Sequence, residues 1–240
     1  MRKMEKDNSL FSHFSELRLR IIKTIIFFTV SFLVLYPFSN YLFEILLHVV
    51  GGKLNLELIA IEIASPFIAP LRLVLFLAFV LTMPFLVFQV LSFMSPGLYE
   101  NERKFVYTRS IIGTALFLIG ILFSLFIVLP NVINFFQNIG PNSLIISTDI
   151  SKFLSFFMLV TISFGIAFQV PLLVNALIFF NIIKKEKIKS YRGVVLIIIF
   201  FIGMVLTPPD VISQILLAVP MYLLFEIGLL FSHEKKKPSG

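Results

Sequence analysis

FMSPGLYENERKF, residues 93–105, is the stretch that decides the fold. It sets Glu100, Glu102, Arg103 and Lys104 between two long apolar runs, and its Pro96-Gly97 pair stops the helix that leads into it. Two apolar runs joined by a short charged loop read as two membrane spans meeting at one membrane surface.

The totals agree. The 240 residues are 58% hydrophobic and only 14% charged, with a mean hydropathy of +1.01. A soluble domain is about half apolar and about a quarter charged. The fold class is therefore all-α, a polytopic membrane protein. With thirty Phe and no Trp, any aromatic belt falls to Tyr and Phe. The chain has no Cys, which excludes disulfides, thiol catalysis and Cys-ligated metals. The net charge of +7 reads as membrane topology rather than nucleic-acid binding. Met1–Lys23 is polar and charged, so no cleavable signal peptide is expected there.

Working outward, the apolar runs give six spans, at about 21–36, 71–94, 109–129, 153–180, 193–206 and 211–231, in a single membrane domain over 1–240. The leader reads as an amphipathic helix capped at Ser12, with Glu16 in its first turn and Phe14, Leu17 and Ile21 on one face, lying along the membrane surface. Pro37 either ends the first span or lets it continue irregularly towards Leu47. Residues 36–70 are expected outside the membrane, with 54–63 amphipathic over the outer surface. Pro84 kinks the second span. Pro130-Asn131 closes the third, in which Gly113 and Gly120 share a packing face. Gln169 and Pro171 interrupt the fourth, and Pro220 the sixth. The fifth reaches about 21 Å, short of a hydrocarbon core of about 30 Å. With six spans, 17 of the 20 Lys and Arg fall on the side of the termini, leaving only Lys53, Arg72 and Lys152 opposite. That bias places both termini, and the 93–105 loop, in the cytoplasm.

No phosphate-binding Gly-rich loop, HExxH or GxSxG is present, and the three His are scattered. Neither enzyme chemistry, a cofactor nor a metal site is expected. Glu16 and Glu102 stand on the cytoplasmic side at the ends of apolar segments. One reading leaves them as solvated charges paired with Arg18 or Arg103. The other makes them two carboxylates facing incoming guanidinium groups, whose planar fork matches a carboxylate better than an ammonium does. Gln89 and Gln169 are interhelical hydrogen-bonding groups, or, for Gln169 beside the Pro171 kink, a docking spot for another helix. Glu226, near the inner end of the last span, either snorkels or pairs with a neighbour, and as an intramembrane acid it is a functional candidate. Asp210, Ser213 and Gln214 read as caps of the last helix.

Several of these stretches together resemble the TatC family, the multispanning receptor subunit of the twin-arginine protein translocase. They are SHFSELRLR at 12–20, ASPF at 64–67, SPGLYENER at 95–103, FQVP at 168–171 and LTPPDVISQILLAVPMYLLFEIG at 206–228. The resemblance implies six helices forming a concave, glove-like wall with helices 5 and 6 short. It also implies binding of twin-arginine signal peptides on folded precursors, with Glu16 and Glu102, flanked by Arg18 and Arg103, as the signal-binding residues. Thr207, Gln214 and Gln169 match positions where single-span TatA- and TatB-type partners dock. Position 169 is Glu in many relatives, so any proton chemistry there is lost with Gln169, while hydrogen bonding to a partner helix survives. Pro84, Pro96, Pro171 and Glu226 are the structural and intramembrane positions of interest. The resemblance further implies a multi-copy complex in the bacterial inner membrane, or an organelle membrane of bacterial descent, driven by the proton-motive force.

Two other functions compete. A small-solute transporter needs a polar or charged site near the midplane, and apart from the peripheral Glu226 the spans offer none. A scaffold or assembly factor would be indifferent to neutralising Glu16 and Glu102.

Overall fold

The computed structural model describes residues 2–51, 57–94, 100–139, 147–179, 182–206 and 211–232; the side chains of residues 2–14, 51, 57, 91, 92, 94, 100–106, 139, 206, 212 and 213 lie outside that set. The chain opens with α1 (Arg2–Leu35), a single 3₁₀ turn (Tyr36–Phe38) and α2 (Ser39–Gly51). The helix does not begin at Ser12, as expected, and no turn separates leader from span. Nothing between Arg2 and Tyr36 is Gly or Pro, so nothing in the sequence breaks the helix there. Pro37 sits in the first turn of the 3₁₀ segment, where its missing N–H costs least, and Leu35 keeps helical dihedrals (φ −79°, ψ −27°). The second alternative for Pro37 therefore holds, and Ser15–Val50 is one apolar helical stretch of 36 residues.

Strand β1 (Glu57–Ile59) lies within the amphipathic stretch read at 54–63, of which 54–56 fall outside the described residues. Helix α3 (Ser65–Met94) starts six residues before the expected 71 and runs through Pro70 and Pro84. Its end at Met94 matches the stop read from Pro96-Gly97, which itself lies outside the described residues. Helix α4 (Glu100–Phe123), a π-helical turn (Ser124–Val128) and α5 (Leu129–Ile139) follow without a break. The expected closure at Pro130 does not occur. Its ring would crowd the Phe126 carbonyl, and the wider π turn directly before it lets the helix carry on.

Next come β2 (Ser147–Asp149), α6 (Ile150–Ala167), α7 (Val170–Phe179), α8 (Lys185–Ser190), α9 (Arg192–Leu206) and α10 (Val211–Leu230). Helices α6 and α7 part at Phe168-Gln169, where the Gln169 N–H donates to Ile166 O (2.9 Å) in a tightened turn and Pro171 enters the first turn of α7. Helix α9, at 15 residues, is about 22 Å long.

The chain falls into two compact units, Met1–Ile45 with Glu62–Thr114, and Leu46–Ile61 with Ala115–Gly240. In the first, α1 packs antiparallel on α3, with the Phe27 and Phe85 rings stacked at 4.8 Å. In the second, Val174, Ile178, Ile188, Phe225 and Leu229 form one buried cluster; Phe157, Phe164 and the bonded pair Ser124–Thr161 (3.5 Å) are also buried. Gly120 and Gly228 admit close backbone approach: a Cβ on Gly228 would lie 2.5 Å from Pro171 Cα, and one on Gly120 2.7 Å from Phe164 O. Parallel pairing of β1 with β2 aligns Leu58 with Thr148. Asp149 then caps α6, its Oδ1 accepting from Ser151 N (3.0 Å) and Lys152 N (2.9 Å), while Oδ2 accepts from Ile61 N (3.4 Å).

The faces turned away from these cores are apolar. Ile25, Ile26 and Val34 on α1, and Ile197, Phe201 and Val205 on α9, are each more than half exposed. In water such faces would aggregate; in lipid they are solvated. Four helical stretches (Ser15–Val50, Ser65–Val90, Tyr107–Asn138, Ile150–Phe179) are long and apolar enough to cross a membrane, and two shorter ones follow (Arg192–Val205, Gln214–Leu230). This is the all-α, multi-pass architecture read from the sequence, with a three-residue strand pair added.

The close approach at Gly228 makes a prediction. Gly228→Ala should cost about 1–3 kcal/mol through overpacking of α7 on α10. Gly193→Ala, with nothing within 4 Å of its Cβ, should be neutral or slightly stabilising. Thermal unfolding of the two variants in detergent checks this; equal melting temperatures would refute the tight packing.

Candidate functional site

The polar end of the first unit holds the candidate site. Glu16 and Arg20 are four apart on α1 and so lie one above the other on the same face. Arg20 Nε (3.0 Å) and one terminal nitrogen (2.5 Å) both donate to Glu16 Oε1. The other terminal nitrogen donates to Gln89 Oε1 (3.1 Å) from α3. Among the described residues no group is bonded to Glu16 Oε2. The Glu16 side chain is 38% exposed and that of Arg20 21%, so the carboxylate is reachable and the guanidinium is more nearly enclosed.

One reading paired Glu16 with Arg18 or Arg103. The structure corrects the first: positions two apart along a helix point to different sides, and Arg18 is exposed. Gln89 is the interhelical group the sequence indicated, with Arg20 as its partner. The backbone of Glu102 and Arg103 lies in the first turn of α4; their side chains lie outside the described set, as does Pro96. Helix α4 is tied to the same end of α3, since the Phe88 and Tyr107 rings meet edge to face at 6.4 Å, one residue from Gln89. The topology thus brings the start of α4 and the Glu16–Arg20–Gln89 group to one end of one unit.

In the second unit, Gln214 does not cap its helix. Its Nε2 donates to Phe200 O (2.8 Å) and its Cγ lies 3.3 Å from where a Gly203 Cβ would be, so it fastens α10 to α9. Gln169 is half-buried at the α6–α7 break. Thr207 and Asp210 lie outside the described residues. Glu226 pairs, as one alternative held: Oε2 accepts from Arg192 (2.8 Å) at the start of α9, and Oε1 accepts from Tyr222 OH (3.0 Å). Asn175 and Lys185 were missed as polar partners. Asn175 Nδ2 donates to Phe231 O (3.0 Å) and Lys185 Nζ to Ser232 O (3.0 Å), so an amide and a cation satisfy carbonyls at the C-terminal end of α10. A lone Asn in an apolar run was the available signal for the first. The four-residue spacing from Glu16 was the signal for Arg20.

Known proteins resemble this chain in sequence and fold. A family model described as Sec-independent protein translocase protein (TatC) matches residues 12–220. The Escherichia coli (strain K12) Sec-independent protein translocase protein TatC is 39% identical over 235 residues, covering 95% of this chain and 90% of that protein. The Haemophilus influenzae protein of the same name is 36% identical, covering 96% and 91%. A crystal structure of the twin arginine translocase receptor TatC superposes with a TM-score of 0.77 at 31% identity, over 91% of this chain and 96% of that one.

The Arg192–Glu226 contact gives a second prediction. Unfolding of Arg192→Gln, Glu226→Gln and the double variant in detergent should show a coupling of about 0.5–1 kcal/mol, the scale of a partly exposed pair. Strictly additive losses would mean that the pair contributes nothing to the α9–α10 hairpin.

Proposed function

The chain belongs to the TatC family of Sec-independent protein translocase proteins, and from that premise we propose that it is the signal-recognition subunit of a twin-arginine translocase. It is a multi-pass protein of the bacterial inner membrane, acting in protein transport rather than in catalysis. Both termini, the start of α4 and α8 face the cytoplasm, in keeping with the 17 Lys and Arg gathered on that side.

Folded cargo presents its signal peptide there. Glu16 and Glu102 take the two arginines, with Arg18 and Arg103 flanking them. The apolar part of the signal then enters the bilayer beside the spans. The short α9 thins the membrane locally, because mismatch costs only fractions of a kcal/mol per Å. Single-span TatA- and TatB-type subunits dock near Gln169, Thr207 and Gln214. The amide oxygen of Gln214 takes no hydrogen bond among the described residues and is the group on offer to them. Several copies assemble, and the proton-motive force drives the cargo across.

The observation that supports this reading best is that Glu16 already receives a guanidinium. Two N–H groups of Arg20 converge on one of its oxygens, so the carboxylate is placed to bind arginine. Lysine, a point charge without the planar fork, cannot repeat that contact.

The test is binding of an arginine-pair signal peptide to the purified protein, against the same peptide with a lysine pair. The arginine peptide should bind at least about tenfold more tightly, a difference of about 1.4 kcal/mol. The Glu16→Ala/Glu102→Ala variant should lose that preference. Binding indifferent to both changes would return the function to the transporter and scaffold readings.

A further inference from the structure

We infer that Arg20 is an internal competitor for the signal: it occupies one oxygen of Glu16 in the empty receptor and must leave before an incoming cation can take both. This rests on the reading of Glu16 as a signal acceptor. Three observations carry it. Arg20 donates twice to Glu16 Oε1, at 3.0 and 2.5 Å. It is not free to drift, because Gln89 on α3 accepts from its remaining terminal nitrogen at 3.1 Å. And it is the more enclosed partner, 21% exposed against 38% for Glu16, so it is held in place while the carboxylate is still reached from solvent.

The consequence is a matter of populations. If the binding-competent form is the one with Arg20 swung away from Glu16, the apparent dissociation constant is the intrinsic one divided by the fraction in that form. This factor is common to every signal that displaces Arg20. It leaves the ratio between arginine and lysine signals unchanged and lowers both affinities. Arg20 therefore sets sensitivity, while the guanidinium-shaped site sets selectivity. Weak cationic segments that the bare carboxylate would retain are pushed below useful occupancy.

Removing Arg20 should thus tighten binding, whereas a purely structural Arg20 would weaken it when lost. Peptide titrations of the full-length protein in detergent, with arginine-pair and lysine-pair signals, separate the two. Arg20→Gln should lower both dissociation constants by a similar factor, about three- to tenfold. Lys23→Gln removes the same charge from an exposed position on the same helix and controls for general electrostatics; its effect should be smaller. In a Glu16→Gln background, Arg20→Gln should bring no further tightening. Gln89→Leu, which releases the tether without changing charge, should tighten both signals about twofold, and it decides the matter if Arg20→Gln does not fold. Weakened or unchanged binding in Arg20→Gln, or tightening no greater than in Lys23→Gln, overturns the competitor. If Glu16→Gln by itself leaves binding intact, it is the receptor reading of Glu16 that fails, and the two failures are distinct.

Discussion

A hydrocarbon solvent offers no hydrogen bonds, so each backbone N–H and C=O within the spans must find its partner inside the protein. The path of the chain follows from that constraint. Helix α3 runs on through Pro70 and Pro84, a 3₁₀ turn absorbs Pro37, and a π turn absorbs Pro130. In water each of these prolines is a natural place to stop. In lipid a stop leaves carbonyls bare, and a distorted turn costs less than an open end.

The same constraint governs the side chains. Polar groups near the helix ends are matched to one another: Arg192 and Tyr222 to Glu226, Lys185 to the Ser232 carbonyl, Asn175 to the Phe231 carbonyl. Arg20 follows the rule with Glu16 and Gln89. A bare carboxylate at a partly dehydrated surface is expensive, and an arginine held against it keeps the pair neutral. Under the proposed function, exchanging that guanidinium for another keeps the charge balance unchanged.

The helical, multi-pass character was legible in the apolar runs, and the last hairpin was read to within a residue because Pro208, Pro209 and Asp210 separate its two helices. Most of the misplaced boundaries have one origin. Proline was read by its behaviour in soluble helices, so the starts and stops at Pro37, Pro70 and Pro130 came out too short. Strand β1 was invisible because its partner lies far away in sequence, and a three-residue strand carries no periodicity. At the site, Glu16 and Gln89 were singled out by type and position. Arg20 was counted only as a topological charge, though its spacing from Glu16 already placed the two on one helical face. What the spacing could not give was the third member, since only packing of α1 on α3 brings Gln89 to Arg20.

The small strand pair has a consequence in time. Asp149 and Ile61 are 88 residues apart, yet they are bonded, and β1 has no partner until β2 exists. During synthesis at about 5–20 residues per second, β1 waits roughly 4–18 s with its edge open while the intervening helices are made and inserted. Because Asp149 also caps α6, the start of α6 and the closure of that edge are set by one residue. The clasp therefore closes only after every helix between Ile61 and Asp149 has been made, and one event then fixes both the edge of β1 and the start of α6.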